Sequence, residues 1–407
     1  MREGTLRKYA RLIVRVGANV KKKQKVIVRA DLEIADFVRL VVDEAYKAGA
    51  LEVTVDWSDQ EIAKMHYQYQ SEETLSELLP WQEEKIKQRV KDLPAMIHLA
   101  SQDPDGMKGI DQEKVRNVRI NQYPLVKKYN DQMENNYQWT IAAVPGKMWA
   151  KKVFPDVNER KAIALLWDAI LTTSRVKGNP VKNWKEHNAN LLEKCKILNE
   201  YKFKYLKYKA SNGTDLKIGL NPDQVWLGGG EETLKGRFFN PNIPTEECFG
   251  MPQKDDVEGI VYSSKPLSYG GELIEDFSIR FEKGRAVEVH AKRNEELLKK
   301  MISMDEGAAR LGEVALVPYD SPISQSGILF YETLFDENAS CHLALGRGFT
   351  NNFKDYEKYS YEELKAKGLN ESMIHVDFMI GTKDLEIIGV LEDGKEVCVF
   401  KDGNWAI

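Results

Sequence analysis

The chain is predicted to hold two domains. Residues 1–200 should form an α/β domain with an open, mostly parallel, flavodoxin-like sheet. Residues 201–407 should form an α+β domain on a large, mainly antiparallel sheet. Three observations predict this. Period-2 and period-3.6 apolar patterns alternate through the first half, which is the signature of βαβ units. After about residue 202 short strand-like runs dominate, separated by Gly, Pro, Asn and Asp turns. A length of 407 residues suffices for two sizeable cores.

In chain order, Leu6, Tyr9, Leu12, Ile13 and Val16 share one helical face, so a helix is expected over 3–17. The run 25–30 (KVIVRA) reads as a buried strand, and Asp31 can cap the helix that follows. Ile34, Phe37, Val38, Val41 and Ala45 form its apolar face, and Gly49 ends it. Val53, Val55 and Trp57 alternate in a second strand, completing a βαβ unit and implying parallel pairing. A helix over 72–92, a strand at 95–100, a polar helix over 111–135 and a strand at 139–144 continue the pattern. Asp156 and Glu159 resemble a capping box before an apolar helix, and a long helix over 183–200 closes this half. No GxGxxG or GxxxxGK[ST] loop follows a strand, so no nucleotide is assigned. In the second half strands are expected at 202–210, 214–219, 259–263, 273–282, 284–291, 311–317, 327–332, 373–380, 385–390 and 395–400. Helices are expected at 294–303 and at 360–367, the latter opened by a Ser360/Glu363 capping box.

A net charge of −4 gives no electrostatic reason for nucleic-acid binding. Charged residues run through 1–25, with no secretory apolar core and no stretch of membrane-spanning length, so no membrane association is expected. Cys195, Cys248, Cys341 and Cys398 are scattered without a CxxC pair, which argues against a disulfide framework and for the cytoplasm.

Chemistry concentrates in the second half. In Ser372–Phe378 apolar Ile374, Val376 and Phe378 alternate with His375 and Asp377, so the imidazole and the carboxylate project side by side from a strand. Glu313 stands inside the apolar run 311–317 and needs a cation, whether a metal or an arginine such as Arg310 or Arg347. His342 lies in the apolar run 340–346, and Glu246-Glu247 follows two prolines, Pro241 and Pro244. Each has an ordinary structural reading: a surface acid pair, a hydrogen-bonded core histidine, a structural His/Asp pair. Together, counting one acid of the adjacent pair, they offer three carboxylates and two imidazoles, a mixture suited to two divalent ions, with histidine favouring Zn, Co or Mn, and Mg remaining possible. His66 and His187 read as lying on exposed helix faces, His98 in a first-domain strand and His290 at a charged strand end. There is no HExxH helix and no GxSxG elbow.

The segments N-x-P-T-E-E-x-F (242–249), R-L-G-E-V-A-L-V (310–317), C-H-x-A-L-G (341–346) and N-E-S-x-x-H-x-D-F-M-I-G (370–381) resemble the aminopeptidase T and aminopeptidase S family of metallopeptidases. Trp149-Ala150…Phe154-Pro155, Asn179-Pro180 through Leu191, and Gly213-Thr214-Asp215-Leu216…Gly219-Leu220 carry the same likeness, which covers about 140–390. The resemblance implies a dimeric exopeptidase acting on peptides with a free N-terminus through two metal ions. It places the ligands on Glu247, Glu313, His342, His375 and Asp377, with Glu247 as the second glutamate of its motif. Glu246 is then the general-base candidate, and Asp215 a candidate for substrate contact or ligand support. One departure stands out: the family's tyrosine seven residues after the motif histidine is Phe349 here, unless Tyr356 or Tyr359 replaces its phenol. The competing readings are a catalytically decayed, metal-stabilised peptide-binding dimer and a dinuclear hydrolase of another amide.

Overall fold

The computed structural model describes residues 2–407, which divide into two compact units. The first comprises the residues up to Glu186 together with Gly230–Pro244. Its parallel sheet runs, edge to edge, Asn242–Ile243, Trp139–Ala143, Ala95–Ala100, Lys25–Asp31, Glu52–Ser58. This is the flavodoxin-like order. Val28 pairs with Val55 on one side and with Ile97 on the other. The fifth strand lies far from the other four in sequence. It has two residues between Pro241 and Pro244, too few for an alternating pattern to register. The helices Glu3–Leu12, Ala35–Ala48 and Glu159–Thr173 meet through Tyr9, Phe37 and Trp167, with ring centroids 5.4–6.2 Å apart. Buried Tyr9 donates its hydroxyl to the carbonyl of Ala143, which keeps that polar tip paired.

Two expectations for this unit are corrected and one helix is added. The helix over 72–92 is two helices, Glu72–Ser76 and Pro80–Asp92, because Pro80 has no amide hydrogen and suits only a first turn. A further helix, Gln60–Tyr69, opens at Asp59, whose side chain accepts from Ile62 N; its apolar residues Ile62, Met65 and Tyr69 stay exposed. The helix Glu159–Thr173 is capped by Asn158 rather than by Asp156, Asn158 Oδ1 accepting from Lys161 N at 2.9 Å. Asn158→Ala should lower unfolding stability by about 1 kcal/mol, read from the urea midpoint by circular dichroism, with no change in peptide cleavage.

The second unit comprises His187–Gly229 and Thr245–Ile407 and contains two antiparallel sheets. One has nine strands and includes Pro252–Tyr262, Glu272–Glu282 and Arg285–Arg293. The other runs His375–Met379, His342–Gly346, Leu311–Leu316, Cys248–Gly250, Leu227–Gly228. Both sheets contribute to one core, through Leu206, Ile218, Val257 and Ile279 from the larger and Leu311, Leu316, Leu343 and Phe378 from the smaller. Residues 327–332 are not a strand. Phe330 N and Glu332 N both donate to the Asp336 carboxylate, and the Phe330 and Phe335 rings stack at 4.5 Å, so these residues pack a turn rather than a ladder. The Ser360/Glu363 capping box forms. Among the described residues no helix is long and apolar enough to cross a membrane.

Candidate metal centre

The five-stranded sheet positions the site. His342–Gly346 lies between Leu311–Leu316 and His375–Met379, with Glu313, Ala344 and Asp377 in one line across the three strands. The register of the first pair slips between Leu311 and Glu313, and Gly312 occupies that irregularity. A Cβ there would lie 2.3 Å from the carbonyl oxygen of Gly346, so only glycine allows this approach. Gly346, opposite His375, has φ +102° and its own close approach to the Ile374 carbonyl oxygen. The strands can therefore bring Glu313, His342, His375 and Asp377 together from backbones in direct contact.

Two sets of donor atoms form. Glu247, Glu313 and His342 make one, and Glu313, His375 and Asp377 the other, with the ligand atoms of each set within 4.8 Å of one another. Glu313 belongs to both. Its Oε1 lies 3.5 Å from His342 Nε2 and its Oε2 lies 3.5 Å from His375 Nε2. Glu247 Oε2 is 3.1 Å from His342 Nε2, and Asp377 Oδ1 is 3.3 Å from His375 Nε2. The opposite nitrogens of both rings face backbone carbonyls: His342 Nδ1 that of Ser340 at 3.2 Å, His375 Nδ1 that of Arg347 at 2.7 Å. A carbonyl only accepts, so Nδ1 carries the hydrogen in both, which leaves Nε2 as the coordinating atom.

A sixth group joins that sequence reasoning missed. Glu337, 9% exposed in the turn Glu337–Ala339, shares a hydrogen bond with Asp377 and feels the charges of Glu247, His342 and Glu313. In sequence Glu337 is the middle of three polar residues, Asp336-Glu337-Asn338, between Phe335 and Ala339, with nothing to single it out.

Electrostatics say what the cluster lacks. Burial, then the charges of Asp377 and Glu247, pushes the Glu337 carboxyl well above its usual range, and burial also raises Glu313. Burial disfavours the His342 imidazolium, but bonds to Glu247 and Glu313 outweigh it and raise its pKa. Burial likewise opposes charge on His375, and Asp377 and Glu313 overcome it, lifting His375 to about 9; Asp377, despite burial, is drawn down to about 2 by His375. Four buried carboxylates face two imidazoles. Even with both rings protonated the negative charge is in excess, and buried charge requires a partner. Oxygen and imidazole-nitrogen donors with a shared carboxylate fit divalent cations.

The sign of the pH dependence follows. The His375 pKa is raised from 6.5 to about 9 by the protein groups alone, so its contribution to the stability of metal-stripped protein is full below 6.5 and lost as pH rises through 9. Divalent ions compete with that proton. Calorimetric metal titration in buffers of different ionisation enthalpy should show proton release at pH 7 that shrinks above pH 9.

The remaining expectations divide. Asp215 is not brought to the centre: it sits on the nine-stranded sheet, 74% exposed, with Lys209 Nζ at 3.9 Å. Glu246 is buried; its backbone N–H donates to Asn338 Oδ1 at 2.7 Å, and its carboxylate lies 3.9 Å from His187 Nε2. His187 is therefore not on an exposed face, and its Nε2 contacts the carbonyl of Thr245 at 2.7 Å. Polar neighbours such as Lys185 and Glu186 disguised it. Phe349 packs on the site, its ring 4.7 Å from that of His375 and 6.1 Å from that of Phe249. Tyr356 packs instead against the small cluster of Met251, Phe353, Leu364 and Leu369, and Tyr359 lies under Lys367. Arg310 pairs with Asp255 rather than with Glu313. Burial pushes the Cys341 thiol up to about 12 and also raises Cys248, so neither is a ready thiolate.

Comparison with known proteins agrees with this geometry. The sequence profile of the thermophilic metalloprotease (M29) family matches residues 2–405. Aminopeptidase AmpS of Bacillus subtilis is 47% identical over 403 residues, spanning 98% of each chain. Aminopeptidase T of Thermus thermophilus is 40% identical over 99% of this chain and 98% of its own. The solved structure of wild-type AmpT from Thermus thermophilus superposes with a TM-score of 0.91 at 39% identity, covering all of both chains. A dihydroxypyridine dioxygenase from Pseudomonas putida, 11% identical with a TM-score of 0.55, shares the fold alone.

Proposed function

Because the chain belongs to the thermophilic metalloprotease (M29) family, we infer that it is a metal-dependent aminopeptidase that hydrolyses the N-terminal bond of peptides. The observation that carries a two-ion reading is Glu313, whose two oxygens face different histidines and which belongs to both donor sets. Glu247 and His342 would complete one site, and His375 and Asp377 the other, with Glu337 beside them. Two divalent ions, of which Zn, Co and Mn suit this donor set best, would supply Lewis acidity toward the scissile carbonyl and a water acidified to near neutrality. The chain's own residues do the rest. The Nδ1–H bonds to Ser340 and Arg347 hold both rings in the coordinating tautomer. Glu246 takes the proton from the attacking water and returns it to the departing amine, so proton and charge balance over the cycle. The relatives of this chain are named aminopeptidases, which supports a substrate that brings a free ammonium group and an exo rather than an endo cut.

A cytoplasmic homodimer completes the proposal, supported by the dispersed free cysteines and by the resemblance. The test of substrate class is hydrolysis of a free dipeptide against its N-acetylated form. Only the free form should be cleaved. Equal cleavage of both would point to a general amide hydrolase, and cleavage of neither to a binding protein.

A further inference from the structure

Glu246 and Glu247 precede the strand Cys248–Gly250 and have no ladder of their own, whereas Glu313, His342, His375 and Asp377 are fixed by strand pairing. Something else must hold them. The peptide unit joining Thr245 to Glu246 is gripped at both polar atoms. His187 Nε2 lies 2.7 Å from the Thr245 oxygen, and the Glu246 N–H donates to Asn338 Oδ1, also at 2.7 Å. The cis peptide bonds of the chain do not include this one, so its C=O and N–H point in opposite directions. Two partners on opposite edges of a planar unit leave it no rotation. Since a carbonyl cannot donate, His187 Nε2 carries the hydrogen.

Both jaws are themselves held. His187 rises from the helix Pro180–Tyr201, and its side chain is 10% exposed. Asn338 is wholly buried, and its Nδ2 donates to the Leu334 carbonyl at 2.9 Å and to Glu337 Oε1 at 3.3 Å, which fixes which end of the amide faces Glu246. One amide thus ties the backbone of Glu246 to the carboxylate of Glu337. We infer that His187 and Asn338 are positioning residues: they clamp the Thr245–Glu246 peptide so that the Glu246 carboxylate meets the reacting water in a fixed place. This inference rests on the reading of Glu246 as the proton carrier.

The experiment compares His187→Phe, His187→Gln, Asn338→Asp, Glu246→Gln and the His187→Phe/Glu246→Gln double variant, as metal-loaded enzymes cleaving a free dipeptide. Each is also measured for bound metal and melting temperature. His187→Phe keeps the ring but loses the donor, and kcat should fall about 10²-fold with KM within about twofold and bound metal unchanged. Gln can donate to the same carbonyl and should recover most of the rate. Asn338→Asp loses the Nδ2 donor that anchors this jaw to the Leu334 carbonyl and to Glu337, so the acceptor for Glu246 N–H is no longer held in place; kcat should fall about tenfold without loss of metal. This variant carries the test should His187→Phe fail to fold. The double variant should be no slower than Glu246→Gln alone, because His187 acts through Glu246; a purely structural histidine would add its own loss. Wild-type kcat in His187→Phe, no recovery with Gln, or additive losses would overturn the clamp. Wild-type kcat in Glu246→Gln would overturn the proton-carrier reading itself. An inactive Glu246→Gln beside a fully active His187→Phe would sink only the clamp.

Discussion

Glu313→Gln should lose both metal ions and at least about 10³-fold in kcat/KM, while remaining folded. Several kcal/mol of metal-derived stabilisation correspond to that factor at about 1.4 kcal/mol per tenfold. The loss should exceed that of any other single ligand because Glu313 belongs to both donor sets. The fold should survive for a physical reason. Burial and the charges of Glu247 and Asp377 disfavour the Glu313 carboxylate, so a neutral amide of the same shape relieves a strained charge. Metal-stripped variant and metal-stripped wild type should melt at similar temperatures, with the variant not lower. Atomic absorption and dipeptide kinetics on the same sample check both halves. Full metal content with full activity would remove Glu313 from the site.

Phe349→Tyr should raise kcat by about 10- to 100-fold at nearly constant KM. Phe349 lies against His375 where the resembling enzymes carry a tyrosine, while Tyr356 packs on the cluster of Met251, Phe353, Leu364 and Leu369 and Tyr359 lies under Lys367. A phenol at this position adds a donor that a phenyl ring cannot supply, and removing one well-placed donor to a developing oxyanion costs about 10²–10³ in rate. The gain should appear in kcat, since such a bond strengthens in the transition state. An unchanged rate would mean that the phenol is not needed here. A rise in KM would mean that the Phe249–Phe349 edge contact shapes the substrate pocket instead.

The legible parts of the site share one property. Glu313 and His342 each stand as the one polar residue of an otherwise apolar, wholly buried strand, and His375 and Asp377 alternate with apolar residues in theirs. Glu337 and Asn338 have no such background. They sit in a short turn among other polar residues, and only three-dimensional proximity to Asp377 and Glu246 gives them meaning. His187 was hidden for the same reason, on a helix whose polar faces look alike in sequence. The fold follows the same rule. Long periodic strands and helices were visible, whereas the two-residue strand Asn242–Ile243 owes its conformation to a distant partner and the apolar turn at 327–332 to the Asp336 carboxylate just beyond it. Asp215 shows the converse. It stands in a family-like GTDL turn, yet its strand belongs to the nine-stranded sheet.

A two-ion centre built on a shared Glu313 can be read out by metal reconstitution. The purified protein is stripped with a chelator, and Co²⁺, Zn²⁺ or Mn²⁺ is returned in measured steps while bound metal and free-dipeptide hydrolysis are followed together. The predicted result is no activity without metal, uptake saturating at two ions per chain, and full activity only when the second ion is bound. Full hydrolysis in the stripped protein, or saturation of both curves at a single ion, would contradict the account.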